Sequence, residues 1–267
     1  MESFGDRLFA AVRQKETPAV VGIDPRADLL PPGLVERHRL GSGASTRVWA
    51  RVVEEFCSRV LEIVAPLVPV VKFQSAFFEV HGAPGVASLG VLLRKARRLG
   101  LVTILDAKRG DIGNTSEAYA EAAFGKFAES SVLGDAADAL TVSPYMGRDS
   151  LEPFLKFARE AGRGLFVLVR TSNPGSRDLQ HLADAQSSQT IYRHVAAWVR
   201  EWSDQTRCQF GYGSVGAVVN NSRGILFPKM EGDAATPGAW EAAVEATVKR
   251  MIDDLAEHTP AGRLRTP

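Results

Sequence analysis

The chain has 267 residues, 45% of them hydrophobic and 24% charged, a composition that excludes disordered, collagenous and disulfide-framework classes. Lys and Arg number 32 against 31 Asp and Glu, a formal charge of +1, so bulk electrostatics call for neither a nucleic-acid partner nor a membrane surface. Cys57 and Cys208 stand far apart in no ligand pattern, and the N-terminus MESFGDRLFAAVRQ mixes charge with apolar residues, so a reducing cytoplasm is the expected location. The stretch Ile63 to Val71, broken by Pro66 and Pro69, falls far short of the roughly 20 residues a spanning helix needs.

In chain order, Phe4, Leu8, Phe9 and Val12 recur at helical spacing and lead into the apolar run AVVGID at 19–24. Ser45 and Thr46 are plausible caps for a long helix whose face is marked by Trp49, Val52, Val53, Phe56, Val60, Ile63 and Val64. The strand VPVVKF follows, then a helix over about 84–99, a strand at 102–106, a helix over about 116–127 and the strand ALTVS at 139–143. A helix at 150–161, a strand at 164–170, a helix at 188–203, a strand at 214–220 and a helix over about 240–257 complete the pattern, with 39–47 and 258–267 as loose segments. The strands are continuous apolar runs rather than alternations, which a parallel sheet covered by crossover helices requires. Polar residues gather at the strand ends: Asp24, Lys72, Asp106 with Lys108, Ser143, Thr171 with Ser172 and Asn173, and Asn220 with Arg223. A doubly wound sheet collects its site in one crevice, whereas this spread over successive strands predicts a single-domain TIM-type barrel over 1–267.

The chemistry concentrates in LDAKRGDIGNT at 105–115, where Asp106, Lys108 and Asp111 form D-x-K-x-x-D after an apolar strand. Taken alone, such a triplet is equally a solvated turn with surface ion pairs. Two features favour a site. In extended backbone residues two apart point to one side, so Asp106 and Lys108 lie together. Lys72 ends a neighbouring strand and approaches the same point, and buried lysine is costly unless paired.

Lys72 in VVKFQSAFFE, DAKRGDIGNT from 106, TVSPY from 141, TSNPG from 171 and NNSRGI from 220 together resemble orotidine 5'-phosphate decarboxylase of the longer bacterial type, over about residues 1–257. The resemblance implies a (β/α)8 barrel, a nucleotide substrate and decarboxylation without metal or other cofactor. It implies an alternating network of Lys72, Asp106, Lys108 and Asp111, with Lys108 as proton donor. It also implies a homodimer in which Asp111, Ile112 and Thr115 reach the partner's site. Asp24 would bind the ribose, Ser143 the pyrimidine, Thr171 would shape the base pocket, and Arg223 with the Gly224 amide would hold the phosphate.

One departure stands out. After strand six, VGAVV runs directly into NNSRGI, where the family continues through a seventh strand with a glycine-rich phosphate loop and on to an eighth. About one and a half βα units are thus missing near 218–221. Either the chain is joined across absent residues, with a Cα–Cα gap well above about 3.8 Å between Val218 and Asn221, or the units are deleted and the phosphate grip is crippled. Two other functions stay open at this level: a metal-dependent sugar-phosphate aldolase or synthase sharing D-x-K-x-x-D, and a catalytically impaired nucleotide-binding homodimer. The five histidines, His38, His81, His181, His194 and His258, show no paired metal spacing.

Overall fold

The computed structural model describes residues 2–41, 43–124, 137–216, 226 and 238–259. Helix α1 (Phe4–Lys15) precedes strand β1 (Val20–Ile23), and α2 (Pro32–Arg37) and α3 (Thr46–Val64) precede β2 (Val70–Gln74). Next come α4 (Ala76–Glu79), α5 (Gly82–Arg98), β3 (Val102–Arg109), α6 (Gly113–Phe124) and β4 (Ala139–Val142). The chain continues with α7 (Glu152–Glu160), β5 (Gly164–Val167), α8 (Arg177–Gln180), α9 (Ile191–Gln205), β6 (Val215–Gly216) and α10 (Ala239–His258).

Among the described residues the sheet has six strands in the order β1-β2-β3-β4-β5-β6, and every neighbouring pair is parallel. Strict sequence order without reversal is the winding of a barrel; a doubly wound sheet would switch direction at an inner strand. The α/β class and the parallel sheet expected from the apolar runs are present. The βα units expected to be missing near 218–221, and the gap expected between Val218 and Asn221, fall on residues outside those described.

The pleat divides the apolar residues into two cores. Val71, Phe73, Leu105, Leu140, Val142, Leu165 and Val167 face the helices, packing with Val53, Phe56, Val60, Leu89, Leu92 and Leu155. Val70, Val102, Ile104, Ala139 and Phe166, one residue out of phase, form a smaller cluster with Phe4, Leu8, Ala11 and Val20. Helix α1 closes that second cluster. Ser3 caps it, its Oγ accepting from the Asp6 amide at 3.0 Å, and Arg7 ties it to the Gly162 carbonyl at 3.0 Å and to Asp138 at 3.2 Å. The Phe4 ring meets Phe166 edge-on, with centroids 6.0 Å apart, in space that a Cβ on Gly164 would fill.

Several boundaries differ from the sequence reading. Helix α6 starts at Gly113 rather than 116, and α9 starts at Ile191 rather than 188 because Asp184 accepts from the Gln186 and Ser187 amides and holds a turn there. Helix α2, with Pro32 in its first turn, was not expected in the proline-bearing loop. Strand β3 runs to Arg109, three residues past its predicted end, and that extension carries the site.

Candidate active site

Strand β2 delivers Lys72 and Gln74 on the face that also carries Val70, while β3 delivers Asp106 on the face of Ile104. Gln74 lies opposite Asp106 in the β2–β3 register. Between β3 and β4 the register slips: Leu105 pairs with Leu140, but Arg109 pairs with Val142, so four steps on β3 match two on β4. This bulge re-aims the segment, and Lys108 sits within it at φ 47°, in the left-handed region. Gly110 follows where the chain passes so close to Ser143 that a Cβ would meet its carbonyl oxygen at 2.7 Å. The Ser143 amide donates to the Arg109 carbonyl at 2.8 Å and closes the bulge.

Asp106 is the hub. Its Oδ2 accepts from Lys72 Nζ at 2.5 Å and from Gln74 Nε2 at 3.1 Å. Its Oδ1 accepts from Lys108 Nζ at 2.7 Å and from Thr141 Oγ1 at 2.8 Å. A carboxylate offers about four lone-pair positions, and here all are taken. Burial alone would raise the Asp106 carboxyl, but the Lys72 charge and the Lys108 and Lys72 hydrogen bonds outweigh it and hold it below the usual carboxylate range. Lys72 is 4% exposed and Asp106 5%, whereas the Lys108 side chain is 44% exposed. The cluster therefore has a closed end at Lys72 and an open end at Lys108. Behind it Arg109 donates to Glu79 Oε1 at 2.8 Å and lies 5.3 Å from the centre of the Tyr119 ring, while Ser75 bonds the same Glu79 oxygen.

The other residues singled out in the sequence divide four ways. Asp24 follows β1, half-buried, and Ser143 follows β4, its Oγ accepting from the Tyr145 amide at 3.1 Å; both stand at the strand ends that carry Lys72 and Asp106. Thr171 stands beyond β5, its amide donating to Gln180 at 2.9 Å, beside a cleft of about 600 Å³ also lined by Arg170, Asn173 and Arg177. Asp111, in contrast, is not in hydrogen-bonding contact with any lysine among the described residues; its Oδ1 accepts from the Ile112 amide at 2.9 Å, with Ile112 and Thr115 exposed beside it. Arg223 and Gly224 lie outside the described residues.

Gln74 and Thr141 stand within the motifs VVKFQSAFFE and TVSPY, where the sequence assigns neither a part. The signal for both was parity: Gln74 is two residues from Lys72, and Thr141 is two before Ser143. Among the described residues no cluster of three His, Cys, Asp or Glu side chains is arranged to hold a metal, and His38 instead bonds Glu55 at 2.6 Å on the surface. Both cysteines are free thiols. No described helix is long and apolar enough to cross a membrane.

Consecutively wound parallel strands whose ends hold two ammonium groups on one saturated carboxylate define a barrel enzyme that meets developing negative charge with fixed cations. The pattern of the orotidine 5'-phosphate decarboxylase / HUMPS family matches residues 18–254, and the chain belongs to that family. It is 44% identical to an orotidine 5'-phosphate decarboxylase of Rhodopirellula baltica over 86% of this chain and 72% of the relative. The Streptomyces coelicolor orotidine 5'-phosphate decarboxylase is 37% identical over 96% of this chain and 89% of its own length. In structure the chain is similar to a Leishmania donovani OMP decarboxylase, with a TM-score of 0.63 and 27% identity over 99% of each chain. A Streptomyces avermitilis structure, described as a candidate for the same enzyme, gives a TM-score of 0.73 at 31% identity over 96% of this chain and 97% of its own.

Proposed function

We propose that the chain converts orotidine 5'-phosphate to UMP by charge stabilisation at C6 and protonation by Lys108. The activity is that of its family: the chain is a decarboxylase, a carbon–carbon lyase of pyrimidine synthesis. The C6–carboxylate bond breaks, CO₂ leaves, and the electron pair stays on C6. No adjacent carbonyl delocalises that pair, so a cation must already be in place. Lys108 supplies the charge and then the proton, and solvent reprotonates it. The reaction so written uses groups of the chain alone and no cofactor.

One observation carries the assignment: Asp106 is fully engaged by four donors, and the ammonium left facing the opening is that of Lys108. A carboxylate so engaged positions Lys72 and Lys108. It has no lone pair left for a divalent cation, which counts against a metal-dependent sugar-phosphate reaction at this centre. Asp24 then takes the ribose, Ser143 the pyrimidine and Thr171 the wall of the base pocket, with Arg223 and Gly224 on the phosphate. The similarity to bacterial relatives at 37–44% identity supports the longer bacterial type, and two free thiols support a cytoplasmic setting.

The working unit is a homodimer with Asp111, Ile112 and Thr115 serving the partner's site. Its support is the placement of these residues. Ile112 is 60% exposed and Tyr145 75%, and Ser116 joins their two loops, its Oγ lying 2.6 Å from the Asp111 carbonyl oxygen and 2.9 Å from that of Ser150, so that one hydroxyl hydrogen is shared between them. Loss of the orotate absorbance tests the reaction. The chain turns over orotidine 5'-phosphate, and Lys108→Ala lowers kcat by about 10⁴-fold or more; equal rates would remove Lys108 from the mechanism.

A further inference from the structure

We infer that Thr141 is a positioning residue, whose hydroxyl fixes the backbone of Lys108 so that the ammonium is aimed before substrate arrives. The inference rests on the decarboxylase reading of this site. Thr141 is 3% exposed, on β4 opposite the bulge, on the same side as Ala139. The Lys108 amide donates to Thr141 Oγ1 at 2.9 Å, and that hydroxyl must therefore send its own hydrogen elsewhere. It goes to Asp106 Oδ1 at 2.8 Å, the oxygen that also accepts Lys108 Nζ at 2.7 Å. A closed ring results: Lys108 amide, Thr141 hydroxyl, Asp106 carboxylate, Lys108 ammonium.

The ring answers a problem set by the bulge. With four residues on β3 spanning two on β4, the regular ladder cannot receive the Lys108 amide, which the hydroxyl takes instead. The φ of 47° is one that L-residues other than glycine avoid unless the surroundings impose it. Lys108 also has a long, flexible stem, so aim depends on holding both of its ends. Thr141 holds one directly and the other through Asp106. Its β-branch leaves few χ1 wells, so the hydroxyl itself is fixed. Valine matches the shape without the hydroxyl; serine keeps the hydroxyl without the branch.

The tests are steady-state kinetics of Thr141→Val and Thr141→Ser, with amide hydrogen exchange on the intact, substrate-free protein. Thr141→Val should lower kcat by about 100-fold with KM within about threefold, the signature of a misplaced group rather than a lost substrate contact. Its acid limb should move to higher pH, because Asp106 loses a donor to its ionised form. Thr141→Ser should return kcat to within about tenfold of wild type, since the hydrogen bonds are restored and only the rotamer is freer. In the unmutated protein the Lys108 amide should exchange as slowly as those of the strand interiors. A wild-type kcat in Thr141→Val, a rise in KM alone, or a rapidly exchanging Lys108 amide would each overturn the assignment. The exchange result decides the matter even if the valine variant does not fold. A protected amide in a wild-type chain without turnover would leave Thr141's place intact and refute the decarboxylase reading instead.

Discussion

The two ends of the inner sheet face are built from the same strands and opposite materials. At one end Val70, Val102, Ile104, Ala139 and Phe166 close on Phe4 from α1. Two residues further along β2 and β3, the same side chain direction brings Lys72 and Asp106, neither more than 5% exposed. The apolar end is stabilised by area removed from water and has no directional demand. The polar end is held by four donors on one carboxylate, and loss of any partner leaves a buried charge or donor unsatisfied. Stability can therefore be tuned at the first end without touching chemistry, while at the second stability and chemistry are one object.

Asp106→Ala breaks the comparison most severely. It strands Lys72 in the interior, so unfolding free energy should fall by about 3–5 kcal/mol in denaturant titration, with turnover essentially abolished. A variant of unchanged stability would mean that Lys72 finds another partner. Phe4→Ala should cost a similar amount, about 3–5 kcal/mol, for a buried aromatic removed from a filled end. Its kcat/KM should nevertheless stay within about twofold of wild type below the melting range, since the two ends are independent. A large loss of activity in folded Phe4→Ala would show that the ends are coupled.

The pH dependence sharpens the same contrast. The folded-state Asp106 carboxyl lies below its unfolded value despite burial, because of the Lys72 charge and the lysine hydrogen bonds. Its contribution is therefore fully present above the unfolded value of about 3.9 and is lost as pH falls through the folded one. Melting temperature measured downward from pH 5 should drop for wild type, and the drop should be smaller for Asp106→Asn. Identical acid limbs would refute this linkage. The smallest effect is expected at the surface, where Glu55 bonds Arg37, Arg59 and His38 at 2.6–2.8 Å. Glu55→Gln should cost about 0–1 kcal/mol in the same titration.

Much of this was legible in the residues. Continuous apolar runs ending in Lys72 and in Asp106 with Lys108 marked strands buried on both faces and the end at which chemistry gathers. The two-residue spacing placed Asp106 beside Lys108 on the assumption of extended backbone; the structure has them in contact, but with Lys108 at φ 47° in the bulge. The bulge was not legible, because register between parallel strands is set by partners some 35 positions away, as in the Thr141–Asp106 bond. Lys108's left-handed backbone follows from that slip and has no local signal such as glycine. Parity with Ser143 puts Thr141 on the site's face, but within ALTVS it reads as an ordinary β-branched strand residue, and its hydroxyl acquires a role only once β3 and β4 are paired.

The most direct test is a crystal structure of the intact chain with UMP bound. The account predicts C6 of the pyrimidine about 3–3.5 Å from Lys108 Nζ, with Asp106 still bridging Lys72 and Lys108 and the base on the open side of the cluster. A nucleotide seated with C6 away from Lys108, or an Asp106 that releases both lysines on binding, would contradict it.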